Sequence, residues 1–389
     1  LSVLDIVLIA ILVIYFLTGL SKGFFVSLGT LGGFILGAVA AFYVTPWVVT
    51  QVSTGWQVIA AVLSVLGCIM VGQWIGFLLG RAIRRFTDST PLRGIERAAG
   101  GILNLLICAF VMVVLALTIK PLGIPQISTA IDDSRTVGTL LNLTPDSVEE
   151  QINEVRTRVL TEGAIPEVSE LLYPRQEPPT EQLENPALEQ ASYSVVQVLG
   201  TAEKCSYISE GSGFVVDTDY VVTNAHVVAG VSHPVVQNRE GDSTPGEVVY
   251  FDRQSDLAII HAPELNLTPL PLGGDVPAGS TVSFMGYPKG GPFKALPGTV
   301  QGLGRAQTVN AETGEANPQR LVYQLAAHVE QGNSGGPVLD ETGSVVGVIF
   351  AKATEGEVGY AIPSSILADA LVGLNSYTEA VPTGACEAR

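Results

Sequence analysis

The sequence predicts two structural classes in one chain: an N-terminal four-helix transmembrane domain, then a soluble all-β domain. Three observations carry this. Four apolar stretches occupy residues 3–20, 24–44, 57–80 and 98–119. Residues 1–120 hold seven Lys and Arg against three acids, a net of +4, while the whole chain carries −17, so −21 falls on the remainder. Beyond about residue 192, short runs rich in β-branched residues alternate with Gly, Pro, Asn and Asp. An apolar, slightly basic part joined to a strongly acidic one is the composition of a membrane unit followed by a soluble domain.

A helix needs about 20 mostly apolar residues to cross a hydrocarbon core, and each stretch approaches or exceeds that length. Lys22 lies between the first two spans, and five arginines from Arg81 to Arg97 lie between the third and fourth. The connection from Thr45 to Trp56 has no charge. The positive-inside rule therefore puts the arginine loop and the Lys22 turn in the cytoplasm, and everything after Lys120 on the outer side of the cytoplasmic membrane. A cleaved signal peptide is disfavoured for the first span, which lacks a basic leader and a small-residue cleavage pattern. The sequence opens on Leu1 rather than Met, so a few residues are expected upstream.

Glycines recur at four-residue spacing, Gly29, Gly33 and Gly37, then Gly72, Gly76 and Gly80. This keeps them on one helix face, where missing side chains let helices approach closely. Asp5 near the outer end of the first span is expected to be wetted by the interface. Cys68 and Cys108 read as small hydrophobes inside the spans.

From 121 to 190 the chain turns acidic and Pro-containing. Apolar residues at 148, 152, 155 and 159 have a helical period behind Thr144-Pro145-Asp146, which predicts a short stalk helix. Pro174 to Pro179 predicts extended chain. An exposed tether is a proteolytic target, and self-cleavage in this linker is expected.

The β-rich part, 191–389, contains candidate strands at 194–199, 212–216, 220–223, 247–251, 281–285 and 345–350, and a helix at 364–374. Many short strands with regular turn signals indicate a sandwich or barrel. Three places in this pattern carry chemistry: Thr223-Asn224-Ala225-His226, Ser255-Asp256-Leu257, and Gly332-Asn333-Ser334-Gly335-Gly336-Pro337. A serine nucleophile needs a base for its proton, and the base needs a carboxylate to hold its tautomer, so Ser334, His226 and Asp256 form a candidate triad. The flanking glycines allow a tight turn in which the amides of Gly332 and Ser334 face a developing oxyanion. Gly-x-Ser-x-Gly also marks the α/β-hydrolase elbow, but that fold places its His after the Ser, and no His follows Ser334.

On these motifs the part from about 190 to 375 resembles the chymotrypsin-like serine proteases, most closely bacterial envelope proteases with the Thr-Asn-Ala-His and Gly-Asn-Ser-Gly-Gly-Pro forms. The resemblance implies a chymotrypsin-like double β-barrel, with His226 and Asp256 from the first barrel and Ser334 from the second. The opening Leu4-Asp5-Ile6-Val7 and the turn Gly19-Leu20-Ser21-Lys22-Gly23-Phe24 resemble the colicin V production protein family over about the first 120 residues. Combined, the resemblances imply a membrane-anchored endopeptidase acting on protein substrates in the cell envelope, in tolerance of acid and oxidative stress.

By the same resemblance, His328 marks the floor of the specificity pocket and Phe350, Ala351 and Lys352 its wall. No acid stands at the floor, so no preference for basic side chains is expected; Glu330 and Lys352 lie near the rim. Asn333 stands where the digestive enzymes have an Asp that pairs with a new N-terminal amine, so activation of that kind is not expected. Cys205 and Cys386, the cysteines outside the spans, are expected to form a disulfide in an oxidising compartment, closing a loop worth roughly 5 kcal/mol in the chain-entropy model. His233 and His261 read as structural or surface residues. No metal or cofactor is expected, and an acidic soluble domain repels nucleic acid. The alternative class is a membrane scaffold or transport protein whose outer domain only binds peptides and is latent or inactive as a protease; it gives the triad and its glycines no chemical use.

Overall fold

A computed structural model describes residues 2–52, 56–87, 93–160, 165–168, 171–181, 185–202, 207–307 and 319–384. It divides into two compact units: Leu1–Val114 with Ser134–Leu140, and Leu115–Asp133 with Leu141–Arg389.

The first unit is built on α1 (Val3–Lys22), α2 (Phe24–Thr50), α3 (Gln57–Thr87) and α4 (Arg93–Ile119). All four are long and apolar enough to cross a membrane. They are helical beyond the apolar stretches: α3 carries on through Arg81, Arg84 and Arg85 to Thr87, and α4 begins at Arg93. The two glycine stripes meet. A Cβ on Gly33 would stand 2.1 Å from the carbonyl oxygen of Gly72, and one on Gly29 would stand 2.3 Å from that of Gly76. The backbones of α2 and α3 therefore touch at positions where any side chain would hold them apart. Large side chains such as Leu36, Phe42, Leu63 and Trp74 point outward from these helices, as lipid-facing residues do.

Asp5 corrects an expectation. It is fully buried rather than wetted, and its carboxylate accepts hydrogen bonds from Ser134 Oγ (2.7 Å), Thr136 N (2.9 Å) and Ser2 N (2.9 Å). It thereby caps α6 (Arg135–Asn142), which follows α5 (Pro125–Asp132) in the chain. An acid at a helix N-terminus satisfies amides that have no partner within the helix.

The second unit takes in the end of α4 and α5, and continues with the stalk helix α7 (Asp146–Leu160), the short β1 (Glu167–Val168) and α8 (Pro186–Ser192). Seven strands then form one sheet: β2 (Val195–Ala202), β3 (Tyr207–Asp217), β4 (Tyr220–Thr223), β5 (Val235–Gln237), β6 (Ser243–Pro245), β7 (Glu247–Asp252) and β8 (Leu257–His261), with the one-turn α9 (Ala225–Val228) between β4 and β5. Their spatial order is β6-β5-β2-β3-β4-β8-β7. The second sheet comprises β9 (Thr281–Gly286), β10 (Lys294–Ala306), β11 (Arg320–Ala326), β12 (Pro337–Leu339), β13 (Val345–Ala353) and β14 (Val358–Pro363), followed by α10 (Ser364–Leu371). Its order is β1-β13-β12-β9-β10-β11-β14, and β13 also pairs with β14, which closes the ring. A closed ring has no free edge to aggregate.

Valines and isoleucines at Val195, Val222, Ile259, Val282, Val338 and Ile349 are essentially inaccessible. Each such side chain contributes about 1.5–3 kcal/mol on burial. The result is the two-sheet architecture of the chymotrypsin fold. The linker is less exposed than its prolines suggest: Leu172 N and Tyr173 N donate to Gln324 Oε1, at 2.7 and 3.0 Å, and dock the stretch just before Pro174 on the second sheet.

Candidate active site

β4 and β8 run antiparallel with Thr223 opposite Ala258. The residues just past the end of β4 and just before the start of β8 therefore fall side by side. His226 sits on the α9 turn and Asp256 directly precedes β8. Asp256 has φ 58°, a left-handed conformation that few residues other than glycine adopt. Four hydrogen bonds hold it there. Its carbonyl accepts from Ala225 N (3.2 Å) and Asn224 Nδ2 (2.9 Å), and its carboxylate meets His226 N (3.0 Å) and His226 Nδ1 (2.8 Å). Strain sustained by this many contacts is characteristic of a functional position. With Nδ1 turned to the carboxylate, Nε2 of His226 is the ring nitrogen on the side away from Asp256, the one that serves as the base in a triad.

Ser334 lies on the turn before β12. Ser212, in β3, grips this turn at two points: its amide donates to Ser334 O (2.7 Å) and its Oγ to Gly332 O (2.6 Å). Thr223 Oγ1 in turn donates to Ser212 O (2.7 Å), so the segment leading to His226 and the Ser334 turn share one anchor. Gly335 (φ 84°) leaves no room for a Cβ, which would fall 2.1 Å from Ser212 O. Asn333 closes the turn reciprocally, its Oδ1 accepting from Glu330 N (2.9 Å) and its amide donating to Glu330 O (3.1 Å). Ser334 Oγ is buried and makes no hydrogen bond among the described residues. Catalytic contacts of this kind are commonly long without substrate and tighten in the Michaelis complex.

The amides of Gly332 and Ser334 are engaged by no other protein group among the described residues. The peptide before Gly332 is fixed from behind, because Gln331 O accepts from Lys289 N at 2.6 Å. A buried Ser beside two unengaged amides, with a His–Asp pair anchored to the same strand, can carry out acyl transfer.

Residues 211–348 match the trypsin-like peptidase domain family and residues 4–145 the colicin V production protein family. Serine protease Rv3671c of Mycobacterium tuberculosis strain H37Rv is 31% identical over 393 residues, covering 98% of both chains. The chain belongs to the trypsin-like serine proteases with an N-terminal colicin V production domain. The crystal structure of the Rv3671c protease in its active form is 34% identical, with a TM-score of 0.52, and covers 57% of this chain and 98% of that one. A chloroplastic Do-like protease 1 of Arabidopsis thaliana is 36% identical over 162 residues, 39% of this chain and 36% of its own. This chain is accordingly a membrane-anchored serine protease.

Of the residues expected at the protease's specificity pocket, His328 and Lys352 line a cleft of about 500 Å³, together with Lys289, Glu330, Val358 and Glu154 of α7. Phe350 and Ala351, expected in its wall, are fully buried and do not line it. The charges around the cleft are paired: Lys289 with Glu330 (2.7 Å), His328 Nδ1 with Glu357 (3.0 Å) and Lys352 with Glu167 (3.5 Å). Burial opposes ionisation of Glu330, but its hydrogen bond and ion pair with Lys289, and His328 nearby, hold the carboxyl below its usual range. β1 pairs in parallel with the same stretch of β13, Glu167 opposite Lys352, so the linker lies along one side of the cleft.

Sequence reasoning missed three residues of this serine protease's site. Arg320 of β11 approaches Asp256 Oδ2 (3.6 Å) and stacks on the Phe350 ring (5.3 Å). Ser212 and Lys289 anchor the Ser334 turn. None of the three stands in a motif, and each acts through contacts with residues distant in sequence. Cys205 and Cys386 lie outside the described residues.

Proposed function

We propose that the protease is an endopeptidase in which Ser334 Oγ attacks the scissile carbonyl while His226 Nε2 takes its proton. Asp256 holds the imidazole and stabilises its cation, and the amides of Gly332 and Ser334 stabilise the oxyanion. His226 then gives the proton to the leaving amine as the C–N bond breaks, and a water molecule repeats the sequence on the acyl-enzyme. The observation that carries this reading is the strained Asp256, bonded to both the ring and the amide of His226.

Paired charges around the cleft support a preference for uncharged side chains over basic ones. The arginines at the end of α3 and the start of α4 support a protease domain on the outer side of the membrane, with envelope proteins as substrates and a role in acid and oxidative stress. The exposed stretch Arg175–Glu177 supports self-cleavage in the linker.

The test is fluorophosphonate labelling of the full chain in membranes, oxidised and reduced, with Ser334→Ala as control. Label mapped to Ser334 is the expected result, and a difference between the two redox states would support a Cys205–Cys386 disulfide that controls activity. A folded wild-type chain that takes no label in either state would refute the endopeptidase reading.

A further inference from the structure

Behind the cleft lies a buried ion pair that the chemistry above does not use. Arg156 of α7 donates from Nη2 to Glu210 Oε2 at 2.9 Å, and each side chain is 3% exposed. The same Nη2 reaches Gly290 O (3.5 Å), and Nη1 donates to the carbonyl of Leu117 (2.9 Å). The turn Pro288–Gly290 rests on this pair: a Cβ at Gly290 would lie 2.1 Å from Glu210 Oε2 and 2.4 Å from Arg156 Nη2.

We propose that Arg156 is a positioning residue for the oxyanion site, fixing the Gln331–Gly332 peptide through Glu210 and the 288–290 turn. This rests on the reading of Gly332 as an oxyanion donor. Lys289, the middle residue of the turn, has φ 56° and ψ 23°, a conformation that lysine seldom holds without support. In that conformation its amide donates to Gln331 O. The C=O and N–H of a trans peptide point in opposite directions, so a held Gln331 carbonyl turns the Gly332 N–H away from Lys289. A flipped peptide would replace an oxyanion donor with a carbonyl oxygen.

Glu210 bears on the other flank as well. It lies in β3 two residues before Ser212, whose Oγ donates to Gly332 O (2.6 Å) and accepts from Tyr287 N (3.0 Å). Gly332 is thus held between the turn and β3, and the Arg156–Glu210 pair underlies both. Removing Arg156 leaves the buried Glu210 without its counter-ion, an unfavourable state relieved by protonation, local rearrangement or water entry. The turn at Gly290, in contact with both partners, is the backbone nearest to hand. Arg156 comes from the stalk helix rather than from either sheet, so the segment preceding the barrels contributes to turnover.

The experiment uses the full chain in nanodiscs with a fluorogenic peptide that the wild type cleaves, and a peptide boronate as transition-state mimic. Arg156→Met is expected to lower kcat roughly 10- to 100-fold, short of the 10²–10³ typical for outright loss of an oxyanion donor. KM should stay within about threefold, since ground-state binding is spared, and boronate affinity should fall in step with kcat. Arg156→Lys keeps the charge but loses the fork that serves Glu210, Gly290 and Leu117 together, and should lie between the two. Wild-type kcat in folded Arg156→Met overturns the proposal, as does a kcat loss that leaves boronate affinity intact. Should Arg156→Met lose its melting transition, Arg156→Lys decides: lower kcat at unchanged KM supports the proposal, and wild-type kinetics overturns it. A wild-type chain that neither cleaves nor labels takes the protease reading down as well, a result distinct from a normal wild type with unaffected variants.

Discussion

Glycine serves the two units of this chain differently. In α2 and α3, Gly29 and Gly33 face carbonyl oxygens of the opposite helix at distances that exclude a Cβ, yet their backbone is ordinary helix. In the Ser334 turn, a Cβ on Gly332 or Gly335 would fall just as close to a carbonyl, 2.2 Å from Tyr287 O and 2.1 Å from Ser212 O, and the two have φ of 91° and 84° besides. The helix pair needs only space, whereas the turn needs space and a backbone conformation closed to most L-residues. Substitution in the helices should therefore damage packing alone, and substitution in the turn should damage chemistry first.

The largest expected effect concerns neither set of glycines but the strained residue beside them. Asp256→Asn should lower kcat by about 10⁴, as loss of the correct imidazole tautomer does in a triad. Its melting temperature should change little, because Asn also tolerates the left-handed conformation. Steady-state kinetics with calorimetry checks both, and near-normal turnover would remove Asp256 from the triad.

Gly332→Ala comes next. Loss of an oxyanion donor costs about 10²–10³ in kcat, and the substitution should cost at least that at similar KM. A rise in KM alone would mean that the turn binds substrate rather than the transition state. Gly33→Leu sharpens the contrast from the other side. It should separate α2 from α3 and speed maleimide labelling of Cys68, whose carbonyl lies against Gly37 in that interface, several-fold. An unchanged labelling rate would mean that the stripe is not a packing surface.

The smallest effect is in pH dependence. Burial pushes the Glu210 carboxyl up to about 7, with Arg156 opposing the rise. Its folded pKa lies above the unfolded value of 4.5, so the folded state binds more protons between those limits. This group's contribution to stability is then greatest at the acid end and is lost as pH rises through about 7. Glu210→Gln should remove a slope of at most about 1.4 kcal/mol per pH unit in that window, measured by denaturant melts of the full chain. An identical pH profile for both chains would refute the upward shift.

The readability of the sequence followed the range of the interactions. β4 at Tyr220–Thr223 and α7 from Asp146 were legible because periodicity and turn residues are local signals. The candidate triad was legible because each member sits in a short motif of its own. Asp5 was misread for the opposite reason: its partners Ser134 and Thr136 lie about 130 residues away and carry no pattern. Arg156 with Glu210, Arg320 with Asp256 and Lys289 with Gln331 were invisible on the same ground, since each pairing exists only once the chain has folded.

One consequence follows from the docked linker. Ile165 is buried in the core of the second sheet, β1 pairs with β13, and Leu172 and Tyr173 are bonded to Gln324, all before the exposed stretch at Arg175–Glu177. A cut in that stretch would break the covalent chain while leaving every one of these contacts in place. The nicked molecule would run as two bands on a denaturing gel and travel as one particle in a native one. Severing the tether and releasing the catalytic barrels would then be separate events, the second awaiting whatever peels the spent strand from its edge.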